Sequence, residues 1–250
     1  MAHDTQRKDG LRTFHLFAGA GGGLLADLLL GHIPVGACEI EEYPRRVLLQ
    51  RQRDGILPEF PIWDDIRTLD GKPWRGLVDV VAGGFPCQNI STAGKGAGLN
   101  GSKSGLYFEL ERVTNEIRPR YVFLENSPAL TTRGLNRVTG GLASMGYDCR
   151  WCVIGGNATG TPQLRERIWI LGELADTVRG KRKMGWNISR SIWERELDAA
   201  YLDRKAKSEP AMVGVVDGLA DGMGRNKAIG NGQISSVAAL AWQILSNPQI

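Results

Sequence analysis

A cysteine placed directly after a rigid turn is the residue of this sequence best suited to covalent chemistry. Residues 79–91 read DVVAGGFPCQNIS: a β-branched strand ends in two glycines, Pro86 stiffens the turn, and Cys87 follows. A buried structural cysteine needs no such turn, whereas a nucleophile must meet its substrate at the edge of a sheet with a fixed approach. The pattern therefore favours a nucleophilic Cys87.

The loop after this cysteine is rich in glycine and basic. Residues 89–105 contain five glycines together with Lys95 and Lys103, and they lack the apolar side chains that would pack the loop down. Such a loop beside a nucleophile fits a lid that closes on a phosphate-bearing substrate. A surface loop without this role explains the same composition.

A second candidate site is the glycine-rich turn after the first predicted strand. Residues 17–23 read FAGAGGG, and Glu39 ends the next predicted strand. Backbone N–H groups of such a turn can approach a ligand, and a carboxylate at that place can bind ribose hydroxyls. Leu24 breaks the strict dinucleotide pattern at its last glycine position. An adenosylmethionine site and a tight structural turn stay open.

Four more charged residues are candidates for binding or catalysis. Asp65 could accept a hydrogen bond from an adenine amino group, or cap a helix. Glu125 ends the apolar run YVFLE, where desolvation should raise its pKa, or it caps a helix. Arg165 and Arg167 share one face of an extended chain before IWIL, where a surface salt bridge is the alternative.

Short apolar runs alternate with amphipathic segments, which predicts an α/β fold with a mostly parallel sheet. The predicted strands are residues 13–17, 35–40, 77–82, 121–125, 147–154 and 167–171. The predicted helices are residues 23–30, 44–53, 105–117, 134–145, 191–202 and 234–245. Ligands of such sheets bind beyond the carboxyl ends of the strands, where the candidate residues stand.

The composition is that of an ordinary globular protein. The 250 residues carry a net charge of +4, which permits a polyanionic partner without demonstrating one. The polar start and the lack of an apolar run of about 18 residues predict a cytoplasmic protein with no membrane span and no disulfides. Cys149 and Cys152 should face opposite sides of a strand, and no second ligand pair accompanies them, so we expect no metal.

Five motifs together resemble those of the DNA cytosine C5-methyltransferase family. They are FAGAGG at 17–22, GGFPCQ at 83–88, ENS at 125–127, QLRER at 163–167 and GNGQ at 230–233, in the family's order. The resemblance implies a Rossmann-like S-adenosylmethionine-dependent methyltransferase fold, with a mostly parallel sheet, helices on both faces and a small target-recognition segment. It further implies a cofactor-binding and catalytic domain over 1–172, a short recognition region over 173–222, and a C-terminal helix over 223–250 that returns beside the first strand.

The resemblance also implies a reaction on cytosine. Cys87 would add to C6 of a flipped-out base, C5 would accept the methyl group of S-adenosyl-L-methionine, and a base would remove the C5 proton. Glu125 would stabilise N3, Arg165 and Arg167 would contact O2 and a phosphate, and the main chain around Pro86 would accept from the amino group. The implied cofactor-binding residues are Phe17, Ala18, Gly19, Gly21, Gly22, Glu39, Ile40, Asp65, Ile66 and Asn231.

Double-stranded DNA is the implied partner of a monomer or weak dimer, with a role such as restriction-modification in a prokaryotic or phage-infected cell, close to the nucleoid. The basic, Trp-bearing stretch 179–195 is the candidate for DNA readout, with a solvated helix face as the alternative. The expected nucleic-acid-binding residues are Gln88, Ser91, Lys95, Lys103, Arg179, Lys181, Arg182 and Lys183.

The sequence departs from the family's pattern in places. His15 stands where aspartate is usual, a position at which a lone histidine is more often a packed core residue, and Ser235 stands where proline is frequent. The recognition region is also short. An RNA substrate and a non-catalytic nucleic-acid-binding relative are alternatives, the second disfavoured because Cys87 and Glu125 are present. A nicotinamide oxidoreductase is disfavoured by the broken glycine pattern.

Overall fold

The computed structural model describes residues 10–86, 105–175 and 232–247. The strands in these ranges are β1 Arg12–Leu16, β2 Ile33–Cys38, β3 Ile62–Trp63, β4 Val80–Gly84, β5 Tyr121–Asn126, β6 Tyr147–Ile154 and β7 Arg167–Leu174. The α-helices are α1 Gly22–Leu30, α2 Glu42–Arg53, α3 Gly105–Ile117, α4 Leu130–Arg133, α5 Leu135–Ser144 and α6 Ser235–Ser246.

The seven strands form one sheet in the order β3-β2-β1-β4-β5-β7-β6. Neighbours from β3 to β5 are parallel, and β7 is antiparallel to both β5 and β6. The predicted α/β fold with a mostly parallel sheet is confirmed. Because β7 runs backwards, its first residue, Arg167, lies at the edge where the parallel strands end, beside Ile154 of β6.

Apolar side chains cover both faces of the sheet, as the continuous apolar strands predict. Residues of β4 alternate between the faces: Val81 packs with the cluster under α3 and α5, whereas Val80 and Ala82 pack with the cluster under α1 and α6. Trp242 of α6 packs edge-on against Phe123 of β5. The sheet is therefore a rigid platform whose carboxyl edge can hold side chains in fixed positions.

Cys149 and Cys152 face opposite sides of β6, as predicted, because each packs on a different core cluster. Burial raises the pKa of the Cys149 thiol to about 11 and that of Cys152 to about 12, so both stay protonated near neutral pH. Within the described ranges, no group of three or more His, Cys, Asp or Glu residues could hold a metal ion. No helix in those ranges combines the length and apolar character that a membrane span requires.

Some element boundaries differ from the predictions. The strand predicted over 77–82 is β4, which starts later and continues through Gly84, because these glycines pair with β1 and β5. The strand β3 and the helix α4 were not predicted. The C-terminal helix α6 packs mainly on α1, β6 and β7. The helix predicted over 191–202 lies outside the described residues.

Candidate active site

The predicted site residues that the structure describes meet at the carboxyl edge of the sheet. The glycine-rich turn follows β1, Glu39 follows β2, Asp65 follows β3 and Pro86 follows β4, while Glu125 stands near the end of β5. Outside the described residues lie Cys87, Gln88, Ser91, Lys95, Lys103, Arg179, Lys181, Arg182, Lys183 and Asn231.

Glu39 is a buried carboxylate that faces the glycine-rich turn. Its Oε2 accepts from the Gly19 N–H at 2.7 Å, and its Oε1 accepts from the Glu41 N–H at 2.8 Å. Gly21 precedes α1 with φ +94°, a left-handed conformation that favours glycine. Each oxygen of the Glu39 carboxylate retains a lone pair that can accept another hydrogen bond, such as one from a sugar hydroxyl.

The other predicted cofactor-binding residues differ in how far they are exposed to solvent. Ile40 is 53% exposed, so an apolar group can lie against it, whereas Ile66 is buried in the core. Phe17 is partly buried against that core and has φ +54°. Asp65 accepts from the backbone N–H of Arg67 at 3.0 Å and pairs with its guanidinium at 2.6 Å. Asp65 therefore organises its own turn, but it caps no helix, because residues 66–68 form a turn.

Glu125 is a buried acid paired with Arg167. Its side chain is 9% exposed, and its Oε1 lies 2.8 Å from the Arg167 Nε. Burial raises the pKa of Glu125; the charges of Arg167 and Arg165 and a hydrogen bond from Gln233 oppose that rise without cancelling it. The helix-cap alternative does not hold, because Ala129 precedes α4. Burial thus makes Glu125 hold its proton to higher pH than an exposed glutamate, and a carboxyl group in this state can give up or share a proton.

Gly84 and Asn126 shape the space around this acid. A Cβ on Gly84 would lie 2.6 Å from the Glu125 Oε2, so the carboxyl group lies directly over this glycine. The buried Asn126 amide donates to the Phe85 carbonyl at 2.9 Å, which fixes the turn one residue before Pro86. The Phe85 carbonyl thus keeps only one lone pair for a further donor. Asn126 was quoted in the ENS motif but not identified as a site residue.

His15 is a packed core residue, as predicted. Its Nε2 lies 2.7 Å from the Asp27 Oδ2, and the Thr13 hydroxyl donates to the same oxygen at 2.5 Å. Burial alone would raise the pKa of Asp27, but the charge of His15 and hydrogen bonds from His15, His32 and Thr13 lower it to about 2. A buried carboxylate of α1 therefore lies beside the side chain of position 15.

The sequence was compared with family models and with known proteins. Residues 11–209 match the family model described as C-5 cytosine-specific DNA methylase. The type II methyltransferase M.CviJI of Paramecium bursaria Chlorella virus IL3A is 28% identical over 81% of this chain and 54% of its own length. The type II methyltransferase M.HhaI of Haemophilus parahaemolyticus is 32% identical over 65% of this chain and 49% of its own. The chain spans about half the length of the curated relatives it matches.

Solved structures share the fold. The S. pombe Dnmt2 methyltransferase superposes with a TM-score of 0.55 at 20% identity, over 76% of this chain and 55% of its own. The Entamoeba histolytica methyltransferase EhMeth gives the same TM-score at 16% identity, over 70% of this chain and 56% of its own. At these identities the likeness concerns the fold alone.

Proposed function

The chain belongs to the C-5 cytosine-specific DNA methylase family, and from this premise we propose that it methylates C5 of cytosine in double-stranded DNA with S-adenosylmethionine as donor. One observation carries the proposal. A buried acid with a raised pKa, Glu125, is held by Arg167 at the same sheet edge as the Phe85–Pro86 turn that leads into Cys87.

The residues around the glycine-rich turn fit S-adenosylmethionine, which supplies an electrophilic methyl group on a sulfonium. A Cβ on Gly19 would meet no described atom within 4 Å, so a ligand can approach this backbone closely. Glu39 has lone pairs free for ribose hydroxyls, and Ile40 offers an exposed apolar face for the adenine. The other residues proposed to hold the cofactor are Phe17, Ala18, Gly21, Gly22, Asp65, Ile66 and Asn231.

Cys87 is the proposed nucleophile. Its thiolate forms a bond to C6 of the cytosine, and the π electrons of the C5–C6 bond become available at C5. Glu125 gives a proton to N3, so the ring does not accumulate negative charge. After C5 has gained the methyl group, a base removes the C5 proton. The released electron pair restores the double bond, the thiolate leaves C6, and N3 returns its proton to Glu125.

The raised pKa of Glu125 supports this role, because burial makes this carboxyl group hold a proton to higher pH than an exposed glutamate would. Arg165 and Arg167 are proposed to contact the cytosine O2 and a phosphate. The pairing of Arg167 with Glu125 supports this, since it directs both groups to one place.

The target base must leave the DNA stack to reach Cys87, at a cost of a few kcal/mol that contacts to DNA must offset. The residues proposed for these contacts are Gln88, Ser91, Lys95 and Lys103 after the nucleophile, and Arg179, Lys181, Arg182 and Lys183 in the recognition region. A recognition region this short predicts either a target of a few base pairs or reliance on a partner for recognition. Deleting residues 179–203 should therefore change the methylated sequence, and an unchanged target would refute this assignment.

A trapping experiment tests the proposed function. The protein and labelled S-adenosylmethionine are incubated in separate reactions with double-stranded DNA, with the same DNA containing 5-fluorocytosine, and with transfer RNA. A base cannot remove fluorine from C5 as it removes a proton, so the elimination step is blocked. The thioether to Cys87 should therefore persist as a covalent complex. The wild type should methylate DNA and form the complex, and Cys87→Ala should do neither.

Cys149→Ala is the matched control, because this thiol lies in β6 with its pKa raised by burial. It should retain both activities. Methylation of cytosine by Cys87→Ala would refute the covalent route, and methyl transfer to RNA alone would refute the DNA substrate.

A further inference from the structure

Gln233, two residues before α6, lies between the glycine-rich turn and the end of β4. Three glycines surround it. A Cβ on Gly22 would collide with the Gln233 carbonyl oxygen, one on Gly23 would lie 2.7 Å from its Oε1, and one on Gly84 would lie 3.3 Å from its Nε2. A single side chain therefore spans from the turn to the strand that leads into the nucleophile.

The two ends of the Gln233 amide meet different partners. The nitrogen end and the Glu125 Oε2 both lie beside the missing Cβ of Gly84, and Gln233 donates a hydrogen bond to the Glu125 carboxyl. The oxygen end lies beside Gly23 and the His15 ring, near the buried Asp27. An ionised carboxylate can only accept, so the amide nitrogen, which lies beside Gly84 and the Glu125 Oε2, suits the state of Glu125 after its proton has been given up.

The position of Gln233 is held by the helix that follows it. Val237 and Trp242 of α6 are buried against the sheet, and α6 also packs on α1. The backbone of Gln233 is therefore anchored by α6, which limits where its side chain can reach. Arg167 holds Oε1 of the same carboxyl from β7, so the acid is held from two directions by elements that are distant in sequence.

We propose that Gln233 is a positioning residue that holds the Glu125 carboxyl over Gly84 and favours its ionised form when the proton is given up. The inference rests on the proposed function in so far as Glu125 is the acid that handles the N3 proton. Gln233 itself touches neither the base nor the nucleophile in this role.

The test uses Gln233→Met, which keeps the length of the side chain and removes both polar ends. Gln243→Met is the matched control, because Gln243 is exposed on α6. Loss of one hydrogen bond to a charged group should lower kcat for methyl transfer to DNA about tenfold in Gln233→Met. The kcat of the Gln243→Met control should stay within about twofold of the wild-type kcat, which corresponds to less than about 0.5 kcal/mol in the activation barrier.

A double-mutant cycle separates positioning from a general packing defect. In the Glu125→Gln background, Gln233→Met should cause no further loss of kcat, because the carboxyl that it positions is gone. Equal losses in both backgrounds would overturn the proposal.

A second measurement does not depend on activity. In protein with ¹³C-labelled glutamate, the Glu125 carboxyl signal, assigned by its loss in Glu125→Gln, should titrate at higher pH in Gln233→Met, because a donor to the ionised form has been removed. Gln233→Glu retains polarity at the site in case the methionine variant does not fold, and it should move the titration in the same direction by repulsion.

An unchanged Glu125 titration in the folded variants would overturn the proposal. If the wild type methylates no DNA but the titration shifts, the proposed function fails and the positioning contact stands.

Discussion

Replacing Gly84 with alanine would put a methyl group where the Glu125 carboxyl lies. The new Cβ would be 2.6 Å from the Glu125 Oε2, whereas ordinary van der Waals contact begins at 3.4 Å. Gly84 pairs directly with Glu125 across β4 and β5, so the backbone has little freedom to separate. The carboxyl must therefore shift by about 0.8 Å, the difference between these two distances.

The expected effect follows from the size of that shift. A misplacement of about 1 Å in a catalytic group can lower the rate about 100-fold, so kcat for methyl transfer should fall by roughly 30- to 100-fold in Gly84→Ala. Adding one carbon to a packed site should lower the free energy of unfolding by about 1–3 kcal/mol. Cofactor affinity should change little, because Gly84 contacts Glu125 and the nitrogen end of Gln233, whereas the glycine-rich turn lies at the opposite end of that side chain.

The assay compares initial rates at saturating DNA and cofactor, cofactor Kd by calorimetry, and urea unfolding. Gly140→Ala is the control: a Cβ there meets no described atom within 4 Å, and an alanine in α5 should stabilise the helix by roughly 0.5–1 kcal/mol. A Gly84→Ala enzyme with kcat within twofold of the wild type, while Glu125→Gln strongly lowers kcat, would refute the reasoning.

Arg167→Met should lower the free energy of unfolding by roughly 3 kcal/mol at pH 8, because it leaves the buried Glu125 carboxylate without its partner. The loss should be smaller at pH 5, because the raised pKa of Glu125 lets the carboxylate bind a proton as pH falls. Equal losses at both pH values in urea unfolding would contradict this. Asp27→Asn should destabilise by about 2 kcal/mol at pH 6, because the pKa of Asp27 is lowered to about 2. That difference should fade as pH falls through the folded pKa of about 2, and a constant difference in acid unfolding would count against the His15–Asp27 pair. Changing Arg179, Lys181, Arg182 and Lys183 to glutamine should reduce the slope of log affinity for DNA against log salt by about 3.6 if all four contact phosphates, and an unchanged slope would exclude them.

The periodicity of apolar residues in the sequence was sufficient to predict the long strands and helices of the fold. The apolar runs of β1, β5, β6 and β7 and the amphipathic α3 were recognised because each spans five or more residues. The two-residue β3 and the four-residue α4 are too short to produce a period. The end of β4 was missed because Gly83 and Gly84 have no side chain to contribute to a pattern, and backbone pairing alone makes them part of the strand.

The glycine-rich turn, Glu39, Pro86 and the acid of β5 could be identified from the sequence alone, because each depends on residue types within a few positions of one another. Only the tertiary structure brought Asp27 beneath His15, Asn126 to the Phe85 carbonyl and Gln233 to Glu125. Such contacts join separate elements, and no local pattern encodes them. The direction of β7 is the clearest case: alternation along a strand is the same in either direction, yet only the reversed strand puts Arg167 against Glu125.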